Sequence, residues 1–165
     1  MADLLPVLKG EAFSCKAFSY PTLSSSRSIV LDQVKTYYNI ARRYNITIIE
    51  DRVGLEHVAL SNEWRLGFIL QHLEGADPLG DPGDLELLYR LGVRSLGLTW
   101  NWDNKYAASC TTRRDYRLTP LGEELVKEAE RLGVIVDLAH ASDKAALDVV
   151  NVVKKPVVIS HGRAA

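Results

Sequence analysis

"VIVDLAHASD", residues 134–143, is the stretch on which the fold turns. Val134, Ile135 and Val136 form a short apolar run of the kind a buried strand shows, yet the run ends in Asp137 and His140. "PVVISHG", residues 156–162, repeats the arrangement, with Val157, Val158 and Ile159 leading to His161. Two apolar strands each deliver a histidine at the carboxyl end, and a hydrophobic core does not require that.

Before and between these strands, apolar runs of strand length alternate with segments of helical period. "EAFSCKAFSY" (11–20) reads as a first strand, followed by a Pro/Ser-rich loop over 21–27. "SIVLDQVKTYYNIARRY" (28–44) places Ile29, Val30, Gln33, Val34, Tyr37, Ile40 and Ala41 near one face of a helix. "RLGFILQHLEG" (65–75) is a second strand ended by Gly75. "DPGDLELLYRLGV" (81–93) is a helix with Pro82 near its start, acids in the first turn and Gly92 as its stop. "SLGLTWN" (95–101) is a third strand, and a polar loop covers 102–118. In "TPLGEELVKEAERLG" (119–133), Thr119 caps a helix, Pro120 takes its first position and Gly133 closes it. A strand at 134–140, a helix at 142–153 and a strand at 156–161 follow.

Strands joined by helical crossovers imply a parallel sheet covered by helices. An open doubly wound sheet and a (β/α)8 barrel both fit that order. The polar residues arbitrate, because Glu74, Asn101, His140 and His161 fall at the carboxyl ends of different strands. Barrels assemble their chemistry at that face from several strand ends. Open sheets use one switch point, usually with a Gly-rich phosphate loop, and neither GxGxxG nor a Walker motif occurs here. The expected fold is therefore α/β of the (β/α)8 TIM-barrel type. About five β/α units are present, fewer than a closed barrel needs, within one domain over 1–165.

Composition agrees with a single soluble domain: 165 residues, 47% hydrophobic and 25% charged. Net charge is −1 and the basic residues do not cluster, so nothing marks a nucleic-acid surface and no nucleic-acid partner is expected. Cys15 and Cys110 form no disulfide framework. No apolar run approaches the roughly 18 to 20 residues of a membrane span. "MADLLPVLKGEAF" lacks a basic segment followed by an apolar one, so no signal peptide is expected and the chain reads as cytoplasmic.

Glu74, His140 and His161 carry the chemistry. Two imidazoles and a carboxylate with an open fourth position suit catalytic zinc, whereas each residue taken alone is equally a polar terminus bonded to a loop. Asp137 is placed to bond the second ring nitrogen of a histidine ligand, or to cap a loop. His72 lies two residues before Glu74 and shares its strand face, about 6.5 Å below it; it reads as a histidine bonded inside the barrel, just under the site. Trp100, Asn101 and Asn104 in "LTWNWDN", with Trp102, either wall a substrate pocket or pack over the barrel mouth. His57 has no chemical company and is expected on the surface.

These residues, in this order, resemble the membrane (renal) dipeptidase family of zinc hydrolases. The likeness runs through "HLEGADPLG", "LYRLGVRSLGLTWNWDN", "LTPLGEELVKEAERLGVIVDLAHAS" and "KPVVISHGRAA". The resemblance implies a (β/α)8 barrel with two zinc ions and hydrolysis of dipeptides, including those with a D- or dehydro-residue at the carboxyl side. It implies that Glu74, in its "EG" pair, bridges the metals, and that His140 and His161 bind the second zinc. Hydroxide shared between the metals would attack the peptide carbonyl, which makes Glu74 catalytic as well as ligating.

The chain departs from the family pattern. No His-x-Asp pair for the first zinc precedes Glu74. The family's carboxylate-binding arginine lies beyond the "SHS" motif, and Arg163 is not that residue. The last strand's aspartate has no counterpart, Trp100 stands where several members have a histidine, and Gly162 replaces a serine. The expectation is the middle of a dipeptidase that holds one zinc or none and pairs with itself or with a complementing chain. A catalytically inactive fragment is the alternative, and another amidohydrolase-like barrel a third reading.

Overall fold

Parallel strands and helices alternate through residues 23–61 and 68–162, which the computed structural model describes. The strand expected at 11–20 lies outside those residues. The first helix, α1 (Leu23–Tyr44), buries Ser26, Val30 and Val34, a stripe at the helical repeat. Ile29 and Gln33, expected on that face, are exposed, so the buried stripe is narrower than the apolar pattern.

Two elements follow that carry almost no sequence signal. The strand β1 (Thr47–Ile48) is two residues long. Helix α2 (Arg52–Leu60) buries only Val58 and starts where the Asp51 carboxylate accepts a hydrogen bond from the Gly54 amide at 2.7 Å. His57 is exposed on it, as expected.

The strand read over 65–75 divides into β2 (Phe68–Ile69) and β3 (Gln71–Glu74), separated by Leu70. Then come α3 (Asp84–Arg90), β4 (Val93–Gly97), α4 (Pro120–Leu132), β5 (Ile135–Asp137) and α5 (Asp143–Val152). The cap signals of α4 hold: Thr119 Oγ1 accepts from the Gly122 amide at 3.0 Å, Pro120 opens the helix, and Gly133 ends it at φ 78°. The strand placed at 95–101 begins earlier and leaves the ladder after Gly97.

Among the described residues, every strand-to-strand pairing is parallel and follows chain order, in a two-stranded and a three-stranded sheet. β1 pairs with β2, β3 with β4 and β4 with β5. The register aligns Glu74, Gly97 and Asp137 in one row, and Asp137 bridges onward to Val158. A doubly wound sheet reverses its order at a switch point, whereas these strands advance in one direction, as staves of a barrel wall do. The fold is α/β and corresponds to part of a (β/α)-barrel.

The strand expected at 156–161 is reduced to that single bridge. Val158 bonds β5 on one side, through Leu138 N–H to Val158 O (2.9 Å) and Val158 N–H to Val136 O (3.0 Å). No described strand pairs with its other side, and Val158 and Ile159 are 38% and 69% exposed.

Behind the sheet, Leu85, Leu96, Leu98, Leu125, Val126, Ala129 and Val149 are fully buried. Helix α4 lies directly on the backbone of the 102–118 loop: a Cβ on Gly122 would come within 2.1 Å of Tyr106 O. Only glycine permits that approach. No helix among the described residues is long and apolar enough to cross a membrane.

Candidate metal centre

Because β3, β4 and β5 are parallel, their carboxyl ends share one edge, and the candidate ligands gather there. Glu74 is the last residue of β3. Gly75 turns the chain at once with φ 92°, where a Cβ would lie 3.0 Å from Asp77 Oδ2 and 3.4 Å from the Trp100 amide nitrogen. His140 follows β5 in a left-handed conformation, φ 63°. Its carbonyl accepts two hydrogen bonds, from Thr99 Oγ1 at 2.9 Å and from the Cys110 amide at 2.8 Å. His161 stands three residues beyond the Val158 bridge, and its Nδ1 is 2.9 Å from Ser160 Oγ.

The three side chains converge. His140 Nε2 and His161 Nε2 are 2.7 Å apart, and Glu74 Oε1 is 3.2 Å from the first and 3.5 Å from the second. The imidazoles meet edge to face, with centroids 4.7 Å apart. Donors at tetrahedral corners around zinc, about 2.0–2.2 Å from the ion, stand about 3.3 Å from each other. The two carboxylate–imidazole separations match that value and the imidazole nitrogens, at 2.7 Å, would open by about 0.6 Å, so the residues fit such an ion. With the His161 proton on Nδ1 and donated to Ser160, its Nε2 lone pair faces the cluster. Glu74, His140 and His161 side chains are 30%, 19% and 44% exposed, so the cluster opens to solvent.

Asp137 lies fully buried beneath this cluster. Of the two roles the sequence offered, it takes the loop contact rather than a bond to a ring nitrogen of either ligand. Its Oδ1 accepts two backbone amides, Ala139 at 2.9 Å and Ser160 at 3.1 Å. Its Oδ2 has no hydrogen-bond partner among the described residues and lies 3.9 Å from His72 Nε2. Burial opposes the charge, but hydrogen bonds from Ser160 and Ala139 and the nearby His72 outweigh it. The carboxyl is held below its ordinary range. His72 itself is bonded inside the wall, Nδ1 to Ser95 Oγ at 3.0 Å, across the row that pairs these two residues.

The mouth residues divide. Asn104 braces its own loop: Nδ2 donates to Leu98 O at 2.8 Å, and Oδ1 accepts from the Tyr106 and Ala107 amides at 2.9 and 3.3 Å. Trp100 and Asn101 are half-buried next to it, and Trp102 is 56% exposed. The Asn101 carbonyl is held by Ser109 Oγ and Thr111 Oγ1. The same loop reaches the other side of the site. Asp115 accepts from Ser142 Oγ at 2.7 Å, and Ser142 caps α5 two residues after His140. Thr99, Ser160 and Asp115 carry no sequence signal for these roles, because each acts through a partner distant in the chain.

The family described as membrane dipeptidase (peptidase family M19) matches residues 7–165, and the chain belongs to it. Among curated relatives, it is 39% identical over 98 residues to Dipeptidase tcpJ of Claviceps purpurea (strain 20.1), covering 58% of this chain and 23% of that protein. It is 34% identical over 143 residues to Dipeptidase verJ of Clonostachys rogersoniana, covering 82% of this chain and 35% of that protein. The chain thus spans about a third or less of the length of these relatives. Among solved structures, it resembles the probable dipeptidase PvdM of Pseudomonas aeruginosa. The TM-score there is 0.74 at 26% identity, covering 84% of this chain and 37% of that one. The fold also matches a dipeptidase described as a metallopeptidase, with a TM-score of 0.73 at 23% identity and 85% and 43% of the two chains covered.

Proposed function

We propose that the chain supplies part of the catalytic face of a zinc-dependent dipeptidase. The observation that carries this reading is the convergence of two imidazole nitrogens and a carboxylate oxygen at 2.7–3.5 Å on one edge of the barrel wall. Membership of the membrane dipeptidase family supports the amide bond of a dipeptide as the target. Glu74, His140 and His161 would hold the ion. Bound zinc supplies Lewis acidity, polarising a carbonyl and lowering the pKa of coordinated water to about 7. Glu74 turns Oε1 toward both imidazoles. Trp100 and Asn101 would wall the substrate, and Asn104 would hold the loop that carries them.

A second reading is favoured by one observation. A single three-residue donor cluster forms among the described residues, where the family resemblance implies two metals. On this reading the chain binds metal and does not turn over dipeptides unless it pairs with itself or a complementing chain.

One experiment separates the two. Metal content and hydrolysis of L-L and L-D dipeptides are measured for the chain and for Glu74→Gln. Zinc-dependent turnover abolished in the variant supports the enzyme. Bound zinc without turnover supports the second reading, and a chain that takes up no zinc contradicts both.

A further inference from the structure

We propose that Asp137 is a positioning residue that sets the separation of the two histidine ligands by clamping the backbones that carry them. One oxygen does this. Asp137 Oδ1 accepts the Ala139 amide, immediately before His140, and the Ser160 amide, immediately before His161. The two histidines are 21 residues apart in sequence, and their Nε2 atoms stand 2.7 Å apart in space. No hydrogen bond between the rings themselves would hold that distance once both lone pairs face a cation. The constraint comes from below, through a fully buried carboxylate whose position β5 fixes by pairing on both sides, with Gly97 and Val158. Ser160 adds a second grip, since its own hydroxyl meets His161 Nδ1 at 2.9 Å. The path from β5 to each imidazole is thus one carboxylate oxygen, one backbone amide and one residue.

This inference rests on the metal reading, but it also makes a statement about the metal-free protein. Removing the carboxylate leaves two N–H groups without that acceptor, Ala139 buried and Ser160 half-buried, and frees the two segments to move independently. Replacing it with an amide keeps an acceptor oxygen for the two N–H groups, removes the charge and puts an N–H donor where Oδ2 stands, 3.9 Å from His72 Nε2. Asp137→Ala should therefore disperse the imidazoles, while Asp137→Asn should keep them together.

The test uses the whole chain and two readouts. In the metal-free protein, the nuclear Overhauser contact between the His140 and His161 rings should persist in Asp137→Asn and vanish in Asp137→Ala. With cobalt(II) in place of zinc, Asp137→Ala should bind about 10- to 100-fold more weakly, with an altered d–d spectrum, as is typical when the outer support of a ligand is removed. Leu125→Ala, a core change on α4 that removes neither hydrogen bond of the clamp, should lower the melting temperature and leave the cobalt spectrum unchanged. Should Asp137→Ala not fold, Ser160→Pro compared with Ser160→Ala reads the same bond: both lack the hydroxyl, but only proline lacks the N–H. A folded Asp137→Ala that keeps the ring contact and the cobalt affinity would overturn the proposal. So would identical behaviour of the two Ser160 variants, or loss of the ring contact in a folded Asp137→Asn. Failure of the unaltered chain to bind cobalt while the ring contact follows these expectations would reject the metal reading and leave the clamp standing.

Discussion

His140 occupies a backbone region that L-residues rarely adopt, φ 63°, and such a conformation costs on the order of 1–3 kcal/mol. Two donors on its carbonyl, Thr99 and Cys110, offset that cost. In the metal-free state, His140→Gly should therefore melt at a higher temperature than His140→Ala, because glycine enters this region without strain. Both should lose zinc, and equal zinc content in the parent and in a His140→Ala, His161→Ala double variant would remove the site. Thr99→Val keeps the buried shape and deletes one donor, so it should cost about 1 kcal/mol in denaturant unfolding. Equal stability of Thr99→Val and parent would mean that the Cys110 amide alone suffices.

Helix α4 and the loop before it behave as one packed element. Gly122→Ala raises intrinsic helix propensity by about 1 kcal/mol, yet its Cβ would lie 2.1 Å from Tyr106 O. Backbone cannot yield as a side-chain tip does, so the variant should be destabilised by about 1–3 kcal/mol. A more stable Gly122→Ala would show that the helix and loop can separate. The loop is also tied to α5 by charge. Arg117 donates to Asp148 through Nε and Nη2, and this holds the Asp148 carboxyl below its usual range. A depressed folded-state pKa means the contribution is complete above the unfolded value, about 4, and is lost as pH falls through the folded one. Asp115 has the same sign: burial raises its pKa, but bonds from Ser142, Arg117 and Lys144 outweigh burial. The melting temperature should fall on acidification below about pH 4. Asp148→Asn should make that limb shallower while leaving the fall contributed by Asp115 and Asp137.

At the scale of the molecule, the sheet presents apolar residues that nothing described covers. Ile135, Val158 and Ile159 are 39%, 38% and 69% exposed at the end of the wall where pairing stops. An open, apolar strand edge favours association with another chain. The chain should sediment as a dimer or larger species whose size depends on concentration. Ile159→Lys should shift it toward monomer without lowering its melting temperature. Monomeric behaviour of the parent at all concentrations would contradict this expectation.

Local chemistry wrote much of this protein legibly. Helical period, the Thr119–Pro120 start and the Gly133 stop act within one turn of chain, and α4 forms where they place it. Glu74, His140 and His161 were readable because a polar residue ending an apolar strand is out of place in a core. The two-residue strand β1 and the single-sided helix α2 were not readable, since each is shorter or less amphipathic than a periodic signal requires. Tertiary structure alone decided the rest. It ordered the strands as a barrel wall and gave Asn104 to its loop. It cut the final strand to one bridge, where one described neighbour holds it, and it turned Asp137 toward two backbone amides. Amides are identical along the chain, so which of them a buried carboxylate meets depends on where distant segments pack, and no side-chain pattern records that.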